Sequence, residues 1–122
     1  MTRVIVCGSR KFDDKELLYK TLDDVLAELE TVEIVSGHAQ GADRLAEEYA
    51  NERSLKLIVF PANWKRYGKV AGPIRNKGML EYALQADPLV IAFWDGKGSG
   101  TKNMISLAEK AGTEMRIVNK EL

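Results

Sequence analysis

Five short apolar runs divide the chain, and a stretch of helical spacing lies between each neighbouring pair. The runs are Val4-Ile5-Val6-Cys7, residues 33–36, residues 56–60, Leu89-Val90-Ile91-Ala92-Phe93 and Met115-Arg116-Ile117-Val118. Most are unbroken, which suits strands buried on both faces of a parallel sheet. The intervening stripes are Leu17, Leu18, Leu22, Val25, Leu26 and Leu29; Ala42, Leu45, Ala46, Tyr49 and Ala50; Met79, Tyr82, Ala83 and Ala86; and Thr101, Met104, Ile105, Ala108 and Ala111. Strands alternating with helices predict one α/β domain over residues 1–122, with a five-stranded parallel sheet and helices on both faces. Right-handed crossovers favour the doubly wound order 3-2-1-4-5, which puts the switch point between the first and fourth strands.

Local signals set the expected boundaries. Asp13 or Asp14 can cap the first helix, Pro73 suits the first turn of the third, and Gly112 closes the fourth. Residues 62–72, with Trp64, Tyr67, Gly68 and Gly72, show no clear period and are expected to form a long loop. Composition narrows the functional classes. Lys+Arg and Asp+Glu are 18 each, a balance unlike that of a general nucleic-acid binder. The single cysteine permits no internal disulfide. No apolar run approaches the roughly 20 residues of a membrane helix, and the start of the chain has no signal-peptide pattern. A cytoplasmic protein is expected, with no membrane contact.

The stretch with the clearest chemistry is Ile34-Val35-Ser36-Gly37-His38-Ala39-Gln40-Gly41-Ala42-Asp43. It reads as strand, tight loop and helix start. Its glycines allow close backbone approach, and the helix N-terminus offers free N–H groups and positive dipole to an anion. Three further loops have the same character: Gly8-Ser9-Arg10, Gly72-Pro73-Ile74-Arg75-Asn76, and residues 96–101 with Gly98, Ser99, Gly100 and Thr101. The predicted topology gathers the loops after strands one, two and four. None matches a dinucleotide fingerprint or a P-loop, since no third glycine and no Gly-Lys-Ser/Thr follows. As a set they point to a phosphate-bearing small molecule. Lys65, Arg66, Lys69, Arg75 and Lys77 lie in a segment without acidic residues, and Arg75 at a helix start is the strongest phosphate candidate.

Several residues admit two readings. Asp43 can complement its helix dipole or accept ribose hydroxyls, and the dipole favours its ionised form, suiting a base. Asp95 ends the fourth strand at the switch point and is the other candidate catalytic carboxylate. Trp64 and Trp94 can stack on a base or join the core. Cys7 reads as a small buried hydrophobe rather than a nucleophile. His38 lies in the ligand loop, with no partner carboxylate evident from the sequence. His38 and Cys7 are too few for a metal site of such ligands.

These residues carry a family resemblance. The chain resembles the SLOG superfamily, named for its DprA-type DNA-processing and Lonely-guy members, and is most similar to the small YspA/YpsA-related branch. The matching pieces include Gly8-Ser9-Arg10, Ser36-Gly37-x-x-x-Gly41-Ala42-Asp43, Phe60-Pro61-Ala62-x-Trp64, Ala71-Gly72-Pro73-x-Arg75-Asn76-x-x-Met79, Phe93-Trp94-Asp95-Gly96 and Gly98-x-Gly100-Thr101-x-x-Met104. The resemblance implies a Rossmann-like fold that binds a nucleotide derivative, ADP-ribose- or nucleoside-monophosphate-like, as sensor or carrier. It implies no further cofactor. It also implies a homodimer or higher homo-oligomer, for which Met79 and Tyr82 offer the candidate face. Two alternatives accompany it: a Lonely-guy-like hydrolase of such a ligand, and a DprA-like single-strand binder, the latter disfavoured by the charge balance. Met104 stands where the Lonely-guy pattern has its catalytic glutamate, so Met104→Glu is the substitution that would return a carboxylate.

Overall fold

The computed structural model describes residues 1–121. β1 (Thr2–Gly8), β2 (Val32–Ser36), β3 (Lys56–Val59), β4 (Asp87–Trp94) and β5 (Glu114–Asn119) form one sheet in the order β3-β2-β1-β4-β5. Every pairing is parallel, as in Val4 beside Ile34 and Leu89. The expected strand order is therefore the observed one. The helices are α1 (Lys15–Leu26), α2 (Ala42–Glu52), α3 (Trp64–Tyr67), α4 (Ala71–Ala83) and α5 (Ser99–Lys110).

Alternation along the strands divides the core in two. Val4, Val6, Ile34, Leu89, Ile91 and Phe93 face Leu18 and Leu22 of α1 and Ala42, Ala46 and Tyr49 of α2. Their sequence neighbours Ile5, Cys7, Val35, Val90 and Ala92 face Met79, Leu80 and Ala83 of α4 and Met104 and Ala108 of α5. Both faces of the three central strands are thus buried, which is why they read as continuous apolar runs. The edge strands carry Lys56, Glu114 and Arg116, charges that discourage pairing with another sheet. No helix of the described residues is long and apolar enough to cross a membrane.

Two expectations are corrected. The segment 62–72 is mostly helical. Asn63 caps α3 by accepting a hydrogen bond from Arg66 N at 3.0 Å, Gly68 ends it at φ 58°, and a 3-10 turn over Gly68–Val70 leads into α4. The period was hidden because Trp64, Tyr67, Val70 and Ile74, spaced along one stripe, point to solvent instead of the core. Pro73 falls in the first turn of α4, where its missing N–H costs nothing.

The second correction concerns Met79 and Tyr82. Met79 is 1% exposed and lies in the core, so it offers no surface to a second copy. Tyr82 donates its hydroxyl to the buried carboxylate of Glu33. Glu33 also receives Arg3 Nε at 3.2 Å and Lys56 Nζ at 3.4 Å. The Arg3 guanidinium lies 3.8 Å from the Tyr82 ring centroid and donates to the Tyr82 carbonyl at 2.7 Å. This network satisfies a charge within the sheet and fastens the end of α4 to it.

Candidate functional site

The carboxyl ends of β1, β2 and β4 meet at the switch point, and backbone contacts lock their loops together. Ser9 N donates to Phe93 O at 2.9 Å, and Asp95 N donates to Ser9 Oγ at 3.3 Å. Gly41 starts α2 at φ 81°, where a Cβ would also come within 2.3 Å of Ser9 O. Only glycine fits there, and the β2–α2 loop is thereby pressed onto the β1 loop.

Across this seam Arg75 reaches over from α4. Its Nη1 donates to Gly37 O and its Nε to Asn76 Oδ1 at 2.9 Å. A Cβ on Gly37 would meet Arg75 Nη1 at 2.6 Å and Asp43 Oδ2 at 2.9 Å, so the glycine makes room for an arginine and a carboxylate to converge. Arg10, exposed on the β1 loop, places its guanidinium 5.8 Å from the Trp64 ring centroid. Burial pushes the proton affinity of Arg75 down; Asp43 opposes that, and the nearby charge of Arg10 pushes it down further. Two guanidinium groups from different elements thus share one neighbourhood.

Asp43 is buried, and its Oδ2 accepts the Ala39 amide at 3.2 Å. Burial raises its pKa to about 6, against the opposing pull of that amide and of Arg75. The carboxyl is still mostly ionised at neutral pH, but its pKa moves up rather than down, because loss of water outweighs the helix N-terminus. Asp95 is the opposite case. Its Oδ1 accepts Lys97 N at 2.8 Å and Gly98 N at 3.2 Å, and the Lys97 bond leads in holding its carboxyl below the usual range. Oδ1 is thus spent on shaping the loop. Burial raises the Cys7 thiol far above its ordinary range, so it stays an inert core group.

Asn76 is fully engaged as a bridge. Its Nδ2 donates to Gly100 O at 3.1 Å and to Asn103 Oδ1 at 2.9 Å, tying α4 to the first turn of α5, where the glycine loop runs into the helix. Thr101 is buried beneath that loop, Ser99 and Gly100 are exposed on it, and Trp94 donates its indole N–H to Gly98 O at 3.1 Å. Trp64 lies at the rim, 49% exposed. Ser36 is fully buried, and its hydroxyl contacts Asp43 O at 3.3 Å and Glu47 Oε2 at 2.8 Å.

Asp14 and Asn63 cap α1 and α3 with their side chains, whereas α4 starts after Val70 with none. α2 and α5 start at Gly41 and Gly98 with no side-chain cap, so their first amides are left for an outside acceptor. The structure thus gathers Gly8, Ser9, Arg10, Gly37, Gly41, Asp43, Arg75 and Asp95 at the switch point, with Asn76 linking Gly98 to Thr101 into the same assembly.

Sequence reasoning missed Glu47, Asn103 and Arg44, whose Nε donates to His38 O at 3.2 Å. Glu47 lies one helical turn after Asp43, so the (i, i+4) spacing was a signal that could have found it.

The sequence model of the YspA, cpYpsA-related SLOG family matches residues 2–67. The chain belongs to this family. The matched segment carries Arg10 and the Gly37–Asp43 loop of this SLOG domain, while Arg75 and the Gly98–Thr101 loop lie beyond it. Among solved structures, DNA processing protein A (DprA) from Streptococcus pneumoniae superposes with a TM-score of 0.75 at 20% identity. The match covers 100% of this chain and 52% of that one, so the SLOG chain spans about half the length of that protein. At this identity the likeness concerns the fold. No curated protein matches the chain.

Proposed function

We propose that the domain binds a nucleotide or nucleotide-derived molecule, ADP-ribose- or nucleoside-monophosphate-like, as a sensor or carrier. The observation that carries the reading is the convergence of Arg75, on the Gly37 carbonyl, and Arg10, near Trp64, where Asp43 is the acidic group beside Arg75 and Glu47 is engaged by Ser36 and His38. A phosphate supplies the missing negative charge, and Arg75 Nη2, free of the bonds that hold Nη1 and Nε, is a donor for it. The uncapped starts of α2 and α5 add backbone donors. Asp43 is placed to accept ribose hydroxyls, and Trp64 supplies an aromatic face at the rim.

Calorimetry with AMP, ADP and ADP-ribose tests this. Arg75→Ala is expected to weaken the bound ligand by about 1.5–3 kcal/mol, the worth of a hydrogen bond to a charged group. Affinity unchanged in a folded variant would remove Arg75 from the site.

A second reading, a single-stranded nucleic acid, is favoured by one feature: Trp64 and Tyr67 are exposed among Lys65, Arg66 and Lys69. Aromatic faces between cations suit stacked bases and phosphates, and the fold neighbour is by name a DNA processing protein. The two readings separate at Tyr67. If oligonucleotide binding is the function, Tyr67→Ala weakens a fluorescent oligo-dT by about 1–3 kcal/mol. On the nucleotide reading the same variant leaves AMP and ADP-ribose affinity as it was.

A further inference from the structure

His38 gains from the fold the partner that its sequence context does not show. Its Nδ1 lies 3.0 Å from Glu47 Oε1 and 2.9 Å from Oε2. Glu47 is in turn fixed by the hydroxyl of Ser36, 2.8 Å from Oε2. The three groups are stacked outward: Ser36 is fully buried, the Glu47 side chain is 14% exposed and the His38 side chain 42%. The backbone of His38 is held as firmly. It takes φ 62°, its N–H donates to Ser36 Oγ at 3.1 Å, and its carbonyl accepts Arg44. A non-glycine residue in the left-handed region persists only when its surroundings over-determine it, and such residues cluster at functional sites. A carboxylate on Nδ1 fixes the ring orientation and places the neutral ring's lone pair on Nε2.

The backbone of His38 is part of the loop that Arg75 and Asp43 grip. The residue before His38 is Gly37, whose carbonyl receives Arg75; the residue after it is Ala39, whose amide reaches Asp43. The charged groups around the loop are Asp43, Arg44 and Glu47 of α2, Arg75 of α4 and Arg10 of the β1 loop. Among the described residues, no three His, Cys, Asp or Glu side chains cluster as a metal site would, so the ring is not a member of such a set.

We propose that His38, positioned by Glu47, is the proton-transfer residue of a hydrolytic activity on a phosphate ester or anhydride of the bound nucleotide. The inference rests on the nucleotide reading above. Water attacks phosphorus as its proton passes to His38 Nε2; the new O–P bond forms and the P–O bond to the leaving group breaks. The imidazolium, facing Glu47, then returns that proton to the leaving oxygen. Arg10 and Arg75 stabilise the charge on the phosphoryl oxygens. Atoms and charge balance, and nothing is oxidised or reduced.

The test combines binding and turnover on the same protein. Wild type is titrated by calorimetry with AMP, ADP, ATP, NAD and ADP-ribose, and each mixture is followed by ³¹P NMR. Hydrolysis of at least one bound nucleotide is expected. His38→Gly accepts the positive φ and leaves room for free imidazole. It is expected to keep the binding affinity, to lose about 100-fold or more in kcat, and to recover part of that with added imidazole. Glu47→Gln should lower kcat with KM unchanged, and Glu47→Asp should restore part of it. Binding without turnover, or turnover that survives His38→Gly, would overturn the inference and leave the nucleotide reading standing. Failure of all five to bind would overturn both.

Discussion

Met104→Glu is expected to destabilise the fold by about 4 kcal/mol and to confer no cleavage of an N-glycosidic bond. The sequence makes the substitution attractive, because it returns a carboxylate to the position where the Lonely-guy pattern has one. The structure removes the attraction. Met104 is 0% exposed and packs among Ile5, Cys7, Val35, Met79, Val90 and Ala92. No cation or amide of that cluster is offered to a carboxylate. An ionised group there loses its hydration without compensation, and a protonated one still leaves a hydroxyl and a carbonyl unpaired. The loss should lower the urea midpoint and bring the melting temperature down by more than about 10 °C. Met104→Leu, similar in volume, is the control and should cost less than about 1.5 kcal/mol. A stable, folded Met104→Glu protein would show that α5 can turn this position toward the cleft.

How far the sequence could be read follows from which signals are local. The sheet was legible because both faces of β1, β2 and β4 are covered, which leaves short continuous apolar runs between helical stretches, and right-handed crossovers then favour the observed order. The glycine loops were legible because Gly37 and Gly41 stand where a Cβ would collide with Arg75 or with Ser9 O. What failed was reading direction from spacing. Met79 and Tyr82 carry a helical stripe, and the sequence does not say that it turns inward onto β1 and Glu33. Trp64, Tyr67, Val70 and Ile74 carry one that turns outward, so the same period was dismissed as loop. In the site, arginines and glycines announced themselves, whereas Glu47 did not. Its role depends on His38 folding back nine residues to meet it, and only the left-handed turn at His38 brings that about. The upward pKa shift of Asp43 was hidden for a related reason: the helix dipole is visible in the sequence, but burial at 5% exposure is not.

That burial yields the second large effect. Asp43→Asn is expected to stabilise the protein at pH 7.5 by about 3 kcal/mol, and to leave it nearly unchanged at pH 4. The folded pKa of about 6 lies above the ordinary 3.8 of an aspartate. The native state therefore holds the proton more tightly than the unfolded chain. Well below pH 3.8 the group is protonated in both states and makes no difference. Between pH 4 and 6 the unfolded chain gives up its proton first, and stability falls as pH rises. Above pH 6 the penalty is constant, about 1.4 kcal/mol for each pKa unit. Asparagine has no charge to desolvate, and its amide oxygen can keep the bond from Ala39 N. Urea midpoints at the two pH values measure the difference; an equal change at both would show that the effect is not ionisation. The same variant carries a functional readout. If the Asp43 carboxylate accepts ribose hydroxyls, removing its charge weakens the nucleotide by about 1.5–3 kcal/mol even as the fold gains stability. A carboxylate that served only the fold would be missed by the fold alone. One whose loss stabilises the protein and loosens its ligand is held in place, at a cost to stability, for what it binds.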